Sequence, residues 1–269
     1  MSENNHNHPT RALPIQMQGV NIATMQDPDY IVFKDVNWSV AGGEFWVVGA
    51  PQHSGKSDFL MTTAGLMPPA GGVYKFYGNE TRIFDESRLA DRLRMGFVFE
   101  NAHLFPYLTV GENVALPLRY HRNLKTGEGS GAIEELLLMT ELKAIAGVMP
   151  ANLPRSWHKR AALARALVLQ PDILLADNPL GALDARHAHW WLRFLDALTR
   201  EHKWLGGKTL TIVVTTDDFR PWRGGNRRFA LLKENSFTVI GSWSDVISSN
   251  DPVVKELLAA PAEDMQTMR

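Results

Sequence analysis

The sequence predicts an α/β fold: a parallel sheet covered by helices, with a small antiparallel sheet at its edge and a helical subdomain inserted. Three observations carry this. Short apolar runs alternate with helix-forming segments along most of the 269 residues. One run, Phe45 to Val48, breaks into a loop ending in Gly55-Lys56-Ser57, and an apolar helical segment (Phe59 to Leu66) follows. Two alternating strands, Ile15 to Ile22 and Tyr30 to Val40, lead into that run, as edge strands beside a parallel core do.

The remaining elements follow in order. Asp27-Pro28-Asp29 and Gly42-Gly43 are turns. Gly71-Gly72 turns into a strand over Val73 to Tyr77, and the basic stretch Arg88 to Arg94 connects it to a strand over Met95 to Phe99. Thr109 and Glu112 have the spacing of a capping box. Asn123 to Gly131 reads as a surface loop and Ala132 to Ala146 as a helix, broken by Pro150 to Pro154. Trp157 to Leu169 and His187 to Glu201 are helices; Ile173 to Ala176 and Thr209 to Thr215 are buried strands. Phe229 to Leu232 and Phe237 to Ile240 form a hairpin around Lys233-Glu234-Asn235. Residues 1–14 and 259–269 read as tails, the first disordered, with His6 and His8 solvated rather than metal-bound. The main domain is 15–258, its helical subdomain about 102–160.

Composition narrows the function. With 28 Lys+Arg against 29 Asp+Glu, nothing points to nucleic acid. With no cysteine, thiolate metal sites and cysteine nucleophiles are excluded. No apolar stretch is long enough to span a bilayer and the N-terminus has no apolar signal region, so the expectation is a cytoplasmic protein that meets membranes only through a partner.

The chemistry centres on residues 43–57. Strand, loop, Gly-Lys-Ser and helix is the layout of a phosphate-binding P-loop: curled backbone N–H groups take phosphate oxygens, a lysine reaches the β- and γ-phosphates and a hydroxyl reaches Mg²⁺. The nucleotide-binding candidates are Ala50, Pro51, Gln52, His53, Ser54, Gly55, Lys56, Ser57 and Asp58. The match departs at Ala50, where the first motif glycine belongs, and at His53, which either touches phosphate or merely fills the loop.

The ordered series of Gly43 to Ser57, Phe97 to Asn101, Ala161 to Ala166, Pro171 to Asp177, Gly181 to Asp184 and Thr211 to Asp217 resembles the nucleotide-binding domain of ABC transporters. The resemblance covers about residues 15–258. Within the family the chain looks most like ATPases of Mla-type, MCE-associated lipid transport, through Leu108 to Arg119, Met149-Pro150 and Asn250 to Leu258. It implies ATP and Mg²⁺ as ligands, with Ser57, Asp177 and Glu100 as metal candidates. It implies as partners a second ATP-binding subunit and an integral-membrane permease, received near Phe105, Pro106 and Tyr107, which would hold the chain at the inner face of the cell membrane. The family's adenine-stacking aromatic would fall near Met25 to Asp27, where none stands; Tyr30 is nearest and reads as a strand residue.

The resemblance also exposes replaced catalytic positions. The family's glutamine after the Phe97 strand is Glu100, the glutamate after Asp177 is Asn178, and the switch histidine is Thr216. An amide has no usable basicity, so general-base help from position 178 is lost. The signature Leu-Ser-Gly-Gly segment, with the residue after it, aligns with Leu153, Pro154, Arg155, Ser156 and Trp157; Pro154 offers neither N–H nor hydroxyl. Arg155 is either a charged substitute or a surface residue. Asp184 serves the dimer contact in the family. Trp190, Trp191 and Leu136 to Met139 read as helix core, while Trp157 and Trp222 have no assigned role beyond their places in the pattern. Three readings follow: an ATP-binding transporter subunit, a non-hydrolysing pseudo-ATPase partner in such a complex, or a slow ATPase using Glu100 or Arg155 in unusual roles.

Overall fold

A computed structural model of the chain describes residues 12–80, 89–123 and 129–259. Most of both expected tails, Arg88 and the middle of the 123–131 loop lie outside the described residues.

Two sheets sandwich one helix. β1 (Ile15–Ala23), β2 (Ile31–Val40), β4 (Gly71–Phe76) and β5 (Asn79–Glu80) form an antiparallel sheet in the order β2-β1-β4-β5. The second sheet contains β3 (Phe45–Gly49), β6 (Met95–Val98), β7 (Ile173–Ala176), β8 (Thr211–Thr216), β9 (Arg227–Lys233) and β10 (Ser236–Gly241), in the order β10-β9-β3-β8-β7-β6. All its pairings are parallel except β9 with β10. Its central strands β3, β7 and β8 are buried at every position because both faces are covered. On β3, Trp46 and Val48 enter the core shared with the antiparallel sheet, while Phe45 and Val47 enter the core under the helices.

α1 (Lys56–Thr63) lies between the sheets. Its Phe59 stacks on Phe237 at 5.4 Å and meets Trp38 at 5.5 Å and Phe33 at 6.3 Å. The β9–β10 hairpin turns through Glu234 and Asn235, both at positive φ, and Asn235 accepts the Lys34 N–H at 2.9 Å, joining the two sheets. Such aromatic contacts fix where the helix begins, and therefore where the phosphate loop sits.

After α2 (Leu89–Arg92) and β6, the chain runs through α3 (Val110–Arg122), α4 (Ser130–Met139) and α5 (Arg155–Leu167) before returning at β7. The Thr109–Glu112 capping box forms with both reciprocal bonds. α3 carries Pro117 in its interior. Buried Asn113 donates to the carbonyls of Phe105, Leu108 and Thr109, pinning the preceding loop. α6 (Ala185–Leu198) covers β7 with Trp191, Leu195 and Leu198, and α7 (Trp243–Ser248) and α8 (Pro252–Leu258) close the C-terminal side. Among the described residues no helix is long and apolar enough to cross a membrane.

Several expected boundaries move. The helix expected over 132–146 ends at Met139: the Thr140 hydroxyl bonds back to the Leu136 carbonyl, Glu141 turns at φ 58, and the buried Leu142 folds its N–H onto Leu137. A 3₁₀ turn, Lys143–Ile145, carries the rest. α5 begins at Arg155 rather than Trp157, because Pro154 fits the position just outside a helix. α1 begins at Lys56, three residues before its apolar face, and α6 stops at Leu198 rather than Glu201. β4 takes in the two glycines expected as a turn. Tyr30 stands one residue short of β2 and is exposed. Leu138, expected in the core, is exposed as well, whereas Leu136 and Leu137 are buried.

Candidate functional site

The carboxyl ends of β3, β6, β7 and β8 open into a cleft of about 1180 Å³. Open α/β sheets bind ligands at this edge. The loop after β3 supplies one wall, from Gln52 to Asp58. Gly55 sits at φ 86, and a Cβ there would meet Val32 Cγ1 at 2.3 Å, so the motif glycine is needed for both reasons. His53 adopts φ 58, the left-handed conformation that glycine takes more easily, and lines the cleft. Its backbone therefore does what the missing glycine would do. Ala50 and Pro51 do not line the cleft. Ala50 is fully buried and its N–H donates to the Thr216 carbonyl at 2.9 Å, continuing the sheet. Pro51 accepts the Ser54 hydroxyl at 2.7 Å, closing the loop on itself.

Lys56 opens α1 and is 7% exposed. Among the described residues its ammonium has neither a hydrogen-bond nor an ion-pair partner. Next to it, Ser57 donates to Asp177 Oδ2 at 2.5 Å, and Thr215 donates to Asp177 Oδ1 at 2.7 Å. A hydroxyl and a carboxylate converge there, the hard oxygen donors that Mg²⁺ takes alongside phosphate. The residues thus fit both a polyphosphate and its metal. Among the described residues no group of three or more acidic or histidine side chains gathers to hold a metal without phosphate.

Asp58 faces the outer part of the cleft and accepts the Met25 N–H at 2.9 Å. Burial, and after it the Asp177 charge, raises its carboxyl above the ordinary value, against the lowering effect of that N–H. Thr24, Met25 and Gln26 form the rim there, where the resemblance implies an aromatic; Tyr30 does not line it.

The opposite wall comes from the loops after β6, β7 and β8, and from α5. Asn178 donates through Nδ2 to Glu100 Oε1 at 2.7 Å. The two replaced catalytic positions therefore hold each other, and Glu100 bonds to Asn178 rather than joining Ser57 and Asp177. Asp217 lies beside them, with Gln52 Nε2 3.3 Å from its Oδ2. A Cβ on Gly181 would stand 2.5 Å from Asn178 Nδ2, so glycine there leaves room for the amide.

Thr216 is turned out of the site. Its hydroxyl donates to the Asp218 carbonyl at 2.9 Å and accepts the buried Trp222 indole N–H at 3.1 Å. Position 216 here builds structure, and Asp217 is the neighbour that lines the cleft. Trp222 thereby gains a role that its sequence context did not suggest.

On α5, Arg155, His158 and Lys159 share the cleft-facing side, at the i, i+3 and i+4 spacing of one helix face. Lys159 is 7% exposed and donates at 2.8 Å to the carbonyls of both Asn178 and Gly181. Burial pushes its ammonium down to about 8, although Glu100, Asp177 and Asp217 pull the other way. Sequence reading missed Lys159; the helical spacing from Arg155 was the available signal. Leu153, Pro154, Ser156 and Trp157 lie outside the chain's own cleft. Trp157 meets His187 at 5.6 Å with the Arg160 guanidinium 4.7 Å from its ring. Asp184 caps α6, accepting the His187 N–H at 3.0 Å.

The family profile described as "ABC transporter" matches residues 33–181, more than half of the chain. The ATP-binding protein YtrE of Bacillus subtilis is 34% identical over 202 residues, covering 74% of this chain and 84% of that one. The sulfate/thiosulfate import ATP-binding protein CysA of Synechocystis is 36% identical over 181 residues, but the match spans only 49% of its length and 65% of this chain. The dimeric ATP-binding cassette MJ0796, in a post-hydrolysis state with ADP and Pi, superposes with a TM-score of 0.72 at 33% identity, over 82% of this chain and 95% of that one. Sequence, fold and cleft agree: the chain belongs to the ABC transporter family, as an ATP-binding domain.

Proposed function

We propose that the chain binds Mg-ATP in this cleft and serves as the ATP-binding subunit of a transporter. The observation that carries the reading is Lys56, a nearly buried ammonium with no partner among the described residues, at the start of α1. An unpaired buried charge is costly, and a phosphate oxygen relieves that cost. Ser57 and Asp177 would hold the Mg²⁺, which when bound neutralises phosphate charge.

In this reading the chain closes on a second cassette and biases a membrane permease, which places it at the inner face of the membrane. The exposure of Phe105 (52%) and Tyr107 (90%) supports a partner contact beside β6. A lipid or other hydrophobic cargo, of the Mla/MCE kind, is supported by the segments Leu108 to Arg119, Met149-Pro150 and Asn250 to Leu258. The relatives are named for several other cargoes, among them sulfate and methionine. Calorimetric titration of the full chain with Mg-ATP tests the core of the proposal. Binding that weakens by about tenfold or more in Lys56→Ala is expected, and no binding by the parent chain at millimolar ATP would refute it. Comparing lipid with sulfate transport by the reconstituted complex tests the cargo.

A second reading, the non-hydrolysing partner, is favoured by Asn178 and by Pro154, which precedes α5 without an N–H. Turnover that Lys56→Ala abolishes would exclude it.

A further inference from the structure

We infer that Glu100 is the residue that activates water in this cleft and that Asn178 positions it. The inference rests on the Mg-ATP reading above. Hydrolysis needs an acceptor for a water proton on the wall facing the phosphate seat. Four carboxylates are near. Asp177 is engaged through both oxygens, by Ser57 and by Thr215. Asp58 lies at the outer end and is tied to the Met25 N–H. Asp217 Oδ2 has two amide groups nearby, Gln52 Nε2 at 3.3 Å and Asn178 Nδ2 at 3.4 Å.

Asp58 and Asp217 also keep one free oxygen among the described residues, but Asp58 stands on α1, on the phosphate side, and Asp217 is held only by these long contacts. Of the four, Glu100 combines a place on the facing wall with a short anchor. It stands just past the carboxyl end of β6 and lines the cleft. Asn178 Nδ2 holds its Oε1 at 2.7 Å, while among the described residues its Oε2 has no hydrogen-bond partner. One oxygen is anchored and the other is free to accept from water.

The anchor is itself fixed. Asn178 donates its backbone N–H to the Thr215 hydroxyl at 3.1 Å, and its carbonyl accepts from Lys159 at 2.8 Å. Gly181 leaves no Cβ to displace its amide. The amide can donate but cannot take a proton, so Asn178 is the positioning residue and Glu100 the catalytic one.

The step balances without any further reactant. Glu100 takes a proton from the attacking water. The water oxygen bonds to the γ-phosphorus as the bond from that phosphorus to the β–γ bridging oxygen breaks. The electron pair leaves with ADP, and the proton passes from Glu100 to solvent.

Glu100→Gln keeps the size and hydrogen-bonding reach of the side chain and removes its basicity. In the full chain, isolated with its partner subunits, this variant is expected to lose about 100-fold or more in ATP turnover. Calorimetry is expected to show Mg-ATP binding within a few-fold of the parent. Asn178→Asp sets a second carboxylate against Glu100 and is expected to move the acid limb of the pH–rate profile upward. A structural role for the pair would leave that limb in place. Turnover of Glu100→Gln at the parental rate overturns the inference, as does an unmoved acid limb. So does a parent that binds Mg-ATP without hydrolysing it, which leaves the Mg-ATP reading standing. Absence of Mg-ATP binding overturns both.

Discussion

The two walls of the cleft are built on different principles. On the phosphate side the backbone makes the site: a left-handed His53, a left-handed Gly55 and the first turn of α1 present N–H groups and the Lys56 ammonium. Side chains can change there as long as the loop keeps its path. On the facing side the side chains make the site: the replaced positions Asn178 and Thr216 bond to Glu100 and Trp222, and Lys159 holds the carbonyls of Asn178 and Gly181. A backbone-built wall keeps its function through substitution, whereas a side-chain-built wall exchanges one chemistry for another.

The sharpest way to break the contrast is at Trp222. It is fully buried, packs on Phe45 at 5.9 Å and donates to Thr216. Trp222→Ala leaves a cavity and removes one of the bonds that hold the Thr216 hydroxyl at the end of β8, and is expected to destabilise the chain by about 3–5 kcal/mol. Urea unfolding measures it. A loss under 1 kcal/mol would mean that position 216 is held by something else.

Lys159 tests the same wall through pH. Its ammonium is held down to about 8 in the fold against an ordinary 10.5. Between those values the unfolded chain binds the additional proton, so stability rises with pH across that window and the cost of the buried charge is present in full below it. The difference corresponds to at most about 3 kcal/mol. Lys159→Met is expected to flatten the rise in unfolding free energy from pH 8 to 10.5. An unchanged slope would place the titration elsewhere.

Lys56→Ala tests the other wall. The fold should stay close to parental stability, because Lys56 makes no bond among the described residues. Nucleotide binding should weaken by about 1.5–3 kcal/mol, the worth of a charge-assisted hydrogen bond, as read by calorimetry. The contrast predicts opposite outcomes: large stability effects at Trp222, large binding effects at Lys56.

The backbone-built wall was the legible one. Gly55-Lys56-Ser57 after an apolar strand fixes loop, helix start and phosphate seat, and Thr109 with Glu112 fixes the start of α3 in the same local way. The Lys233-Glu234-Asn235 turn was readable because a polar triplet separates two apolar runs. The facing wall was not legible because its partners are distant in sequence. Whether Thr216 points into the cleft depends on Trp222, and whether Lys159 is buried depends on carbonyls some 20 residues away. The end of α4 at Met139 depends on where Leu142 is buried, which its local propensity does not reveal.

The outer rim gives the smallest effect and the finest test. Met25 is 63% exposed on the rim, where the resemblance implies an adenine-stacking aromatic, and its N–H is already tied to Asp58. A thioether offers contact area but no flat π-face. Met25→Tyr adds that face without touching the backbone bond. Stacking of a base on an aromatic ring contributes about 1–3 kcal/mol when the ring is well seated; on an exposed rim the lower end applies. Mg-ATP binding is therefore expected to tighten about fivefold, while binding of inorganic triphosphate, which has no base, stays unchanged. Equal gains for both ligands would show that the substitution acts through the Asp58 tether and the phosphate loop, and would bring the rim under the same backbone rule as the wall beside it.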